Sequence, residues 1–293
     1  MKIAKVGVVG LGAMGAGIAQ SFLQAGYTVH VTDVMPKQVE AGLKRISQAL
    51  QKLVDHEQLP GNELTPLMGR LTSGTDLQGH RTCDLVIEAV IECLAEKQKV
   101  FQLLDTECEE KTILASNTST LPVALLAAAT KRPAKVLGLH FFNPAAVMKL
   151  VEVTRTLVTS EETLESAVEL VKSIQKTPVL AKDKAGFIVN RLLTPYLFDA
   201  MRALDEGLAS VEDIDNSMVL GCGHPMGPLK LADFIGLDVL GQGAASLFDE
   251  YKDARFAAPI ILKRLVSMGF VGVKSGKGFY DWSNRKNPLP NKF

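Results

Sequence analysis

The sequence predicts an α/β chain in which a doubly wound, mostly parallel sheet is followed by an all-helical C-terminal domain. Three observations carry this. Short apolar runs alternate with helical stretches through the first 183 residues. A glycine-rich turn joins the first run to the first helix. Strand patterning stops after Asp183. At 293 residues the chain is about two domains long, divided here into residues 1–184 and 185–293.

Residues 3–9 (Ile-Ala-Lys-Val-Gly-Val-Val) read as a buried strand, residues 14–25 as a packed helix and residues 28–32 as a second strand, which makes a βαβ unit. Residues 36–54 form an amphipathic helix with Val39, Leu43, Ile46, Leu50 and Leu53 on its apolar face. Lys37, Lys44, Arg45 and Lys52 stand against Glu40 there, so the helix presents either a solvated face or a landing place for a phosphate-rich ligand. Further strands are expected at 84–90, 112–116, 136–142, 150–154 and 177–181, with helices such as 95–108 and 121–129 between them. Beyond them, 187–205, 211–220, 230–251 and 255–268 carry helical spacing.

Lys plus Arg and Asp plus Glu both count 32, a formal net charge of zero that argues against a nucleic-acid partner. The 47% hydrophobic content is ample for a buried core and argues against disorder. No apolar run approaches the ~18–20 residues of a membrane span, and the first residues enter a strand pattern without a signal-peptide layout. A soluble, cytoplasmic protein is expected. Cys83, Cys93, Cys108 and Cys222 lack metal-ligand spacing and read as reduced, mostly buried thiols, with no metal site.

Gly10-Leu11-Gly12-Ala13-Met14-Gly15 matches G-x-G-x-x-G, follows a strand, opens a helix and is followed by Asp33 at the end of the next strand. Gly10 makes the tight turn, Gly12 lets backbone approach a pyrophosphate and Gly15 lets helix and strand pack closely. Free N–H groups at the helix start suit phosphates. Asp33 would accept from the adenosine ribose hydroxyls and repel a 2′-phosphate, which favours NAD over NADP.

The chemistry-bearing stretch is Leu139-His140-Phe141-Phe142-Asn143-Pro144, followed by Lys149-Leu150-Val151-Glu152-Val153. Antiparallel pairing about a turn centred near Ala146 would set His140 opposite Glu152. A carboxylate partner fixes an imidazole's tautomer and stabilises its protonated form, as a general base requires. Ser119 or Thr120 reads either as the cap of the next helix or as a ligand group outside the carboxyl ends of the strands. Asn190, polar within an apolar helix, calls for a hydrogen-bond partner, and Arg191 is open to a solvent-facing role.

Taken in order, the 10–17 loop, Glu88-Ala89-Val90-Ile91-Glu92, 116–119, 140–144, 149–153, 186–193, Pro225-Met226-Gly227-Pro228 and Gly276-Lys277-Gly278-Phe279-Tyr280 resemble the L-3-hydroxyacyl-CoA dehydrogenase family over nearly the whole chain. The resemblance implies a Rossmann-type NAD-binding domain and a helical domain that binds substrate and forms a homodimer. It implies oxidation of an acyl-CoA substrate, short-chain such as 3-hydroxybutyryl-CoA, with His140 as general base and Glu152 supporting it. Ser119 and Asn190 would hold substrate oxygens. Gly10, Gly12, Gly15, Asp33, Glu92, Lys97, Asn143 and Lys274 would contact the cofactor. The helix at 36–54 departs from the family's pattern, with Ala49 and Asp55-His56-Glu57 where lysines or a serine often meet the CoA phosphates, and Lys52 is the compensating cation. Ala185 stands where a proline is common. A same-fold dehydrogenase of a free hydroxy acid or sugar acid, and a non-catalytic crystallin-like NAD-binding protein, are the alternatives. Seven basic residues against one acid in 263–293 make a second basic patch.

Overall fold

The structure is a computed structural model that describes residues 3–293, and the chain forms two compact units, Met1–Phe187 and Ile188–Phe293.

In the first unit, β1 (Lys5–Val9) leads through α1 (Ala13–Gln24) to β2 (Thr28–Thr32), parallel to β1 with Val6 opposite Val29. Then come α2 (Pro36–Asp55), α3 (Leu64–Gly69) and β3 (Leu71–Gly74). The strands β4 (Leu85–Glu88), β5 (Ile113–Ser116) and β6 (Val136–Phe141) are separated by α4 (Leu94–Glu107) and α5 (Val123–Ala127). β7 (Leu150–Arg155), α6 (Glu161–Ser173) and β8 (Thr177–Lys182) complete the unit.

The sheet order is β3-β2-β1-β4-β5-β6-β7-β8. β1 to β6 run parallel, while β7 pairs antiparallel with β6 and β8 follows β7 in parallel. Side-chain alternation assigns the two faces. Leu85, Ile87, Ile113, Ala115, Leu137 and Leu139 pack in the core shared with α1, α2 and α6. Val86, Leu114 and Val136 pack with α4 and α5. His140, between Leu139 and Phe141 of the first core, therefore belongs to the α4/α5 face.

Three local expectations are corrected. β3 (Leu-Thr-Ser-Gly) has no apolar run to announce it, because an edge strand pairs on one side only and tolerates polar residues. The helix expected at 121–129 is only Val123–Ala127, and neither Ser119 nor Thr120 caps it. Asp183 does so, accepting from Val123 N at 2.8 Å and Ala124 N at 2.7 Å. Cys93 and Cys222 are exposed; Cys83 and Cys108 are buried, and burial pushes their thiols up to about 12 and about 11.

The second unit holds α7 (Val189–Asp205), α8 (Val211–Cys222), α9 (Pro228–Ile235), α10 (Leu237–Tyr251) and α11 (Ile260–Ser267). It is helical apart from a two-stranded ribbon of β9 (Tyr280–Asp281) and β10 (Leu289–Pro290). The single helix expected at 230–251 is two, bent by 92° at Gly236, whose φ of 98° is open to glycine. α11 starts later than expected because Pro259 disfavours helical backbone at Ala258.

Two buried acids organise this core. Asp215 caps α9 through Leu229 N (2.8 Å) and Lys230 N (2.9 Å) and accepts from the Tyr280 hydroxyl (2.8 Å). Asp233 accepts from Phe279 N, Tyr280 N and Trp282 Nε1 at 2.8–2.9 Å. A side chain on Gly227 or Gly278 would overlap these carboxylates, which explains one glycine in each C-terminal motif. No single helix among the described residues is long and apolar enough to cross a membrane.

Candidate active site

The strand order reverses between β1 and β4, where open α/β sheets bind ligands at the carboxyl ends of their strands. A cleft of about 710 Å³ lies there, lined by Gly10, Gly12, Asp33, Met35, Val90 and Ile91 among others. Gly10 has φ 93°, and a Cβ on it would stand 2.7 Å from the Ala89 carbonyl oxygen. A Cβ on Gly15 would overlap the Gly10 carbonyl oxygen, whereas Gly12 has nothing within 4 Å. Two glycines thus serve the turn and its packing, and the third leaves an open approach.

Gly12 is the N-cap of α1 and brings no side chain to the first-turn N–H groups, so they remain available to an anion. Asp33 accepts from Leu11 N at 3.0 Å and from Met35 N at 3.1 Å, which fixes the carboxylate. Each carboxylate oxygen has two lone pairs, so Asp33 keeps capacity for ribose hydroxyls. Arg45 of α2 donates to the Leu11 carbonyl at 3.0 Å and ties that helix to the glycine turn. These residues fit a dinucleotide.

At the far end of β6 the register is His140 opposite Glu152. His140 Nδ1 lies 2.7 Å from Glu152 Oε2, and both side chains are buried. A carboxylate only accepts, so the proton sits on Nδ1 and Nε2 carries the lone pair. Phe142 and Phe187 flank the ring, with centroids 4.4 and 5.7 Å away. Phe187 is held at φ 45°, a region costly for a bulky residue.

Between these two places lies an ionic network. Glu88, at the end of β4, accepts from Lys97 Nζ, Val90 N and Ser116 Oγ, each at 2.7 Å. Lys97 Nζ also reaches Glu92 Oε2 at 3.2 Å. Glu92 Oε1 accepts from Thr118 Oγ1 (2.6 Å), Ser119 N (3.0 Å) and Thr120 N (3.1 Å). Desolvation opposes ionisation of Glu92, but Lys97 and these hydrogen bonds outweigh it and hold its carboxyl below the usual range. Asn117 Oδ1 accepts from Phe141 N at 2.9 Å, linking the same loop to the strand that carries His140.

Asn143 lines a separate cavity of about 230 Å³ with Gly17, Gln20 and Arg45. Lys52 is exposed in the last turn of α2. In the second unit, Asn190 lies in the first turn of α7, Arg191 stacks 4.4 Å from the centroid of the Tyr251 ring, and Lys274 pairs with Asp238 at 2.6 Å. Among the described residues no group of three or more His, Cys, Asp or Glu side chains is placed to hold a metal ion.

Sequence reasoning gave no role to Asp183, Phe142 or Phe187, named Glu88 only within a motif of the family resemblance, and read Arg45 only as a candidate phosphate cation.

A family model described as 3-hydroxyacyl-CoA dehydrogenase, NAD binding domain, matches residues 5–184, and its C-terminal-domain counterpart matches residues 186–282. A probable 3-hydroxybutyryl-CoA dehydrogenase of Bacillus subtilis is 43% identical over 97% of this chain and 99% of its own length. Among solved structures, FadB2 of M. tuberculosis superposes with a TM-score of 0.94 at 44% identity, covering 97% of this chain and 100% of that one. The (S)-3-hydroxybutyryl-CoA dehydrogenase PaaH1 of Ralstonia eutropha gives 0.92 at 38% identity, covering 97% and 100%.

Proposed function

This chain belongs to the 3-hydroxyacyl-CoA dehydrogenase family and is an NAD-dependent oxidoreductase, and from that premise we propose that it interconverts short-chain L-3-hydroxyacyl-CoA and 3-oxoacyl-CoA, such as 3-hydroxybutyryl-CoA and acetoacetyl-CoA, with His140 as the general base. The observation that carries the assignment is the buried His140–Glu152 pair at 2.7 Å.

When bound, NAD supplies the acceptor for the hydride that leaves C3 of the substrate. Nε2 of His140 takes the 3-hydroxyl proton as that hydride departs. Glu152 holds the Nδ1 proton and balances the positive charge the imidazole then carries. In the reducing direction, protonated His140 returns the proton to the forming alkoxide.

Ser119 and Asn190 are assigned to the substrate's oxygens, where charge develops. Gly10, Gly12, Gly15, Asp33, Glu92, Asn143 and Lys274 are assigned to the cofactor. Lys52, with Lys44 and Arg45 on the exposed side of α2, is assigned to the CoA phosphates. Association of two copies through the helical unit and a cytoplasmic location belong to the same reading. Leu192, Leu220, Phe234 and Ile260, each more than half exposed, support the former.

The test follows NADH absorbance with acetoacetyl-CoA and, separately, with acetoacetate or a sugar acid. Oxidation of NADH by the thioester is expected, and turnover only with the free acids would overturn the substrate assignment. His140→Gln should keep NADH binding and lose at least about 10²-fold in kcat. Wild-type turnover in that variant would place the base elsewhere.

A further inference from the structure

The parallel ladder between β5 and β6 ends where Ser116 stands opposite Gly138, short of the residues that carry chemistry on β6. Past that point β7 alone continues the backbone pairing, with Leu139, His140 and Phe141 opposite Val153, Glu152 and Val151. On the β5 side a side chain takes over. Asn117, the first residue after β5, accepts from the Phe141 N–H through its amide oxygen at 2.9 Å. Its own backbone N–H donates to the Glu88 carbonyl oxygen at 2.8 Å, so this residue spans from the end of β4 to the end of β6. The next residue is pinned as well. Thr118 N donates to Ser116 Oγ at 3.1 Å, and that hydroxyl donates to Glu88 Oε2 at 2.7 Å. A backbone N–H only donates, so the end of the amide that faces Phe141 is the oxygen, and Nδ2 takes no part in the contact.

We propose that Asn117 is a positioning residue for the general base: its amide oxygen, by holding Phe141 N, sets how far His140 stands from the loop that carries Ser119. The two sides of β6 then have separate tasks. Pairing with β7 fixes the imidazole to its carboxylate, with 2.7 Å between Nδ1 and Glu152 Oε2. It leaves open where that pair, as a unit, stands relative to the ends of β4 and β5. Asn117 supplies the second restraint, at the peptide bond that joins His140 to Phe141. A shift of about 1 Å at a reacting group is enough to lower a rate by about 10²-fold, so a restraint that touches no substrate still bears on kcat. The inference rests on the reading of His140 as the base. It does not depend on which acyl chain is bound.

The experiment compares Asn117→Ala with Asn117→Asp. Alanine removes the acceptor, whereas aspartate keeps the oxygen that Phe141 N meets and lacks the Nδ2 donor. Asn117→Ala should lower kcat with acetoacetyl-CoA about 10- to 100-fold, with KM and NADH Kd changed less than about threefold. Asn117→Asp should recover kcat to within about threefold of wild type. A loss in aspartate equal to that in alanine would show that Nδ2 meets a ligand directly and would overturn the proposal. In a His140→Gln background Asn117→Ala should cost less than about threefold, because the group it positions is gone; losses that multiply across this cycle would also overturn it. Nitrogen NMR of labelled histidines in the ligand-free protein should show His140 still protonated on Nδ1 in Asn117→Ala, since β7 holds the pair. Loss of that form would show that Asn117 makes the pair rather than places it, against the proposal. If Asn117→Ala does not fold, Asn117→Ser, whose hydroxyl ends one bond short of the amide oxygen, is measured with the same expectations. Wild-type turnover in His140→Gln alone would refute the reading of His140 as the base, and the proposal with it. Absence of turnover with acetoacetyl-CoA in the wild-type protein would count against the substrate reading alone, and the same variants would then be read with the free hydroxy-acid substrate.

Discussion

Replacing Gly12 and Gly15 by alanine separates space kept for a ligand from space needed by the fold. Gly12 has φ −63° and ψ −167°, which any residue adopts, and a Cβ there meets nothing within 4 Å. Alanine is a poorer N-cap than glycine by about 0.5–1 kcal/mol. A stiffer unfolded chain returns about 0.4–1 kcal/mol. The two nearly cancel, so the thermal midpoint of Gly12→Ala should move by no more than about 2 °C. The new methyl stands where a diphosphate would meet the start of α1. Losing one charge-assisted N–H bond costs about 1.5–3 kcal/mol, so NADH Kd should rise roughly 10- to 100-fold.

Gly15→Ala reverses the pattern. Its Cβ would overlap the Gly10 carbonyl oxygen, which is backbone and cannot rotate away, and would press Val8 Cγ1 at 3.4 Å. A loss above about 4 kcal/mol is expected, seen as poor accumulation of folded protein or a midpoint lower by about 10 °C or more. Fluorescence titration and thermal unfolding read both variants. Wild-type NADH affinity in Gly12→Ala, or equal destabilisation by the two substitutions, would refute the division of labour.

Two further outcomes follow from single carboxylates. Asp33→Asn should narrow the preference for NADH over NADPH by about tenfold, because a neutral amide no longer repels a 2′-phosphate; a wild-type protein that already prefers NADPH would contradict this. In the second unit, burial raises the Asp233 carboxyl to about 6, outweighing its bonds to Trp282, Phe279 and Tyr280. A raised folded-state value means the fold binds the proton more tightly, so this stability is present below about pH 4 and lost as pH rises through about 6, by about 3 kcal/mol. Asp233→Asn, which cannot titrate, should give a flatter stability profile over that window, and parallel profiles would rule the group out as the source.

What the sequence made legible was local or symmetric. The glycine turn, its strand and helix and Asp33 lie within one βαβ unit, so residue type and spacing sufficed. The His140–Glu152 pairing could be read because both residues lie equally far from the middle of the short connection between β6 and β7, which suits an antiparallel register. Less was visible where partners are distant in the chain. The cap of α5 comes from Asp183, about 60 residues away, so Ser119 and Thr120 were natural but wrong candidates for it. Their backbone N–H groups go instead to Glu92, 27 and 28 residues upstream. The break at Gly236 was hidden because glycine inside an apolar helical pattern is common enough not to announce a bend.

The zero net charge, which argues against a nucleic-acid partner, also conceals a division of charge by depth. Among the described residues Glu88, Glu152, Asp215 and Asp233 are buried, against Lys97 and Lys176 on the basic side. More acids than bases are thus withdrawn from solvent, and the charge left facing water is more basic than the formula suggests. Each buried acid is held by specific donors: an ammonium and a hydroxyl for Glu88, an imidazole for Glu152, backbone N–H groups for both aspartates. An anionic cofactor and an anionic thioester would meet the exposed remainder, such as Lys44, Arg45 and Lys52 on α2, where Glu40 and Asp55 stand against Lys37 and those three. The fold therefore divides charge by depth, placing acids where they organise chemistry and packing and leaving bases where phosphates would arrive.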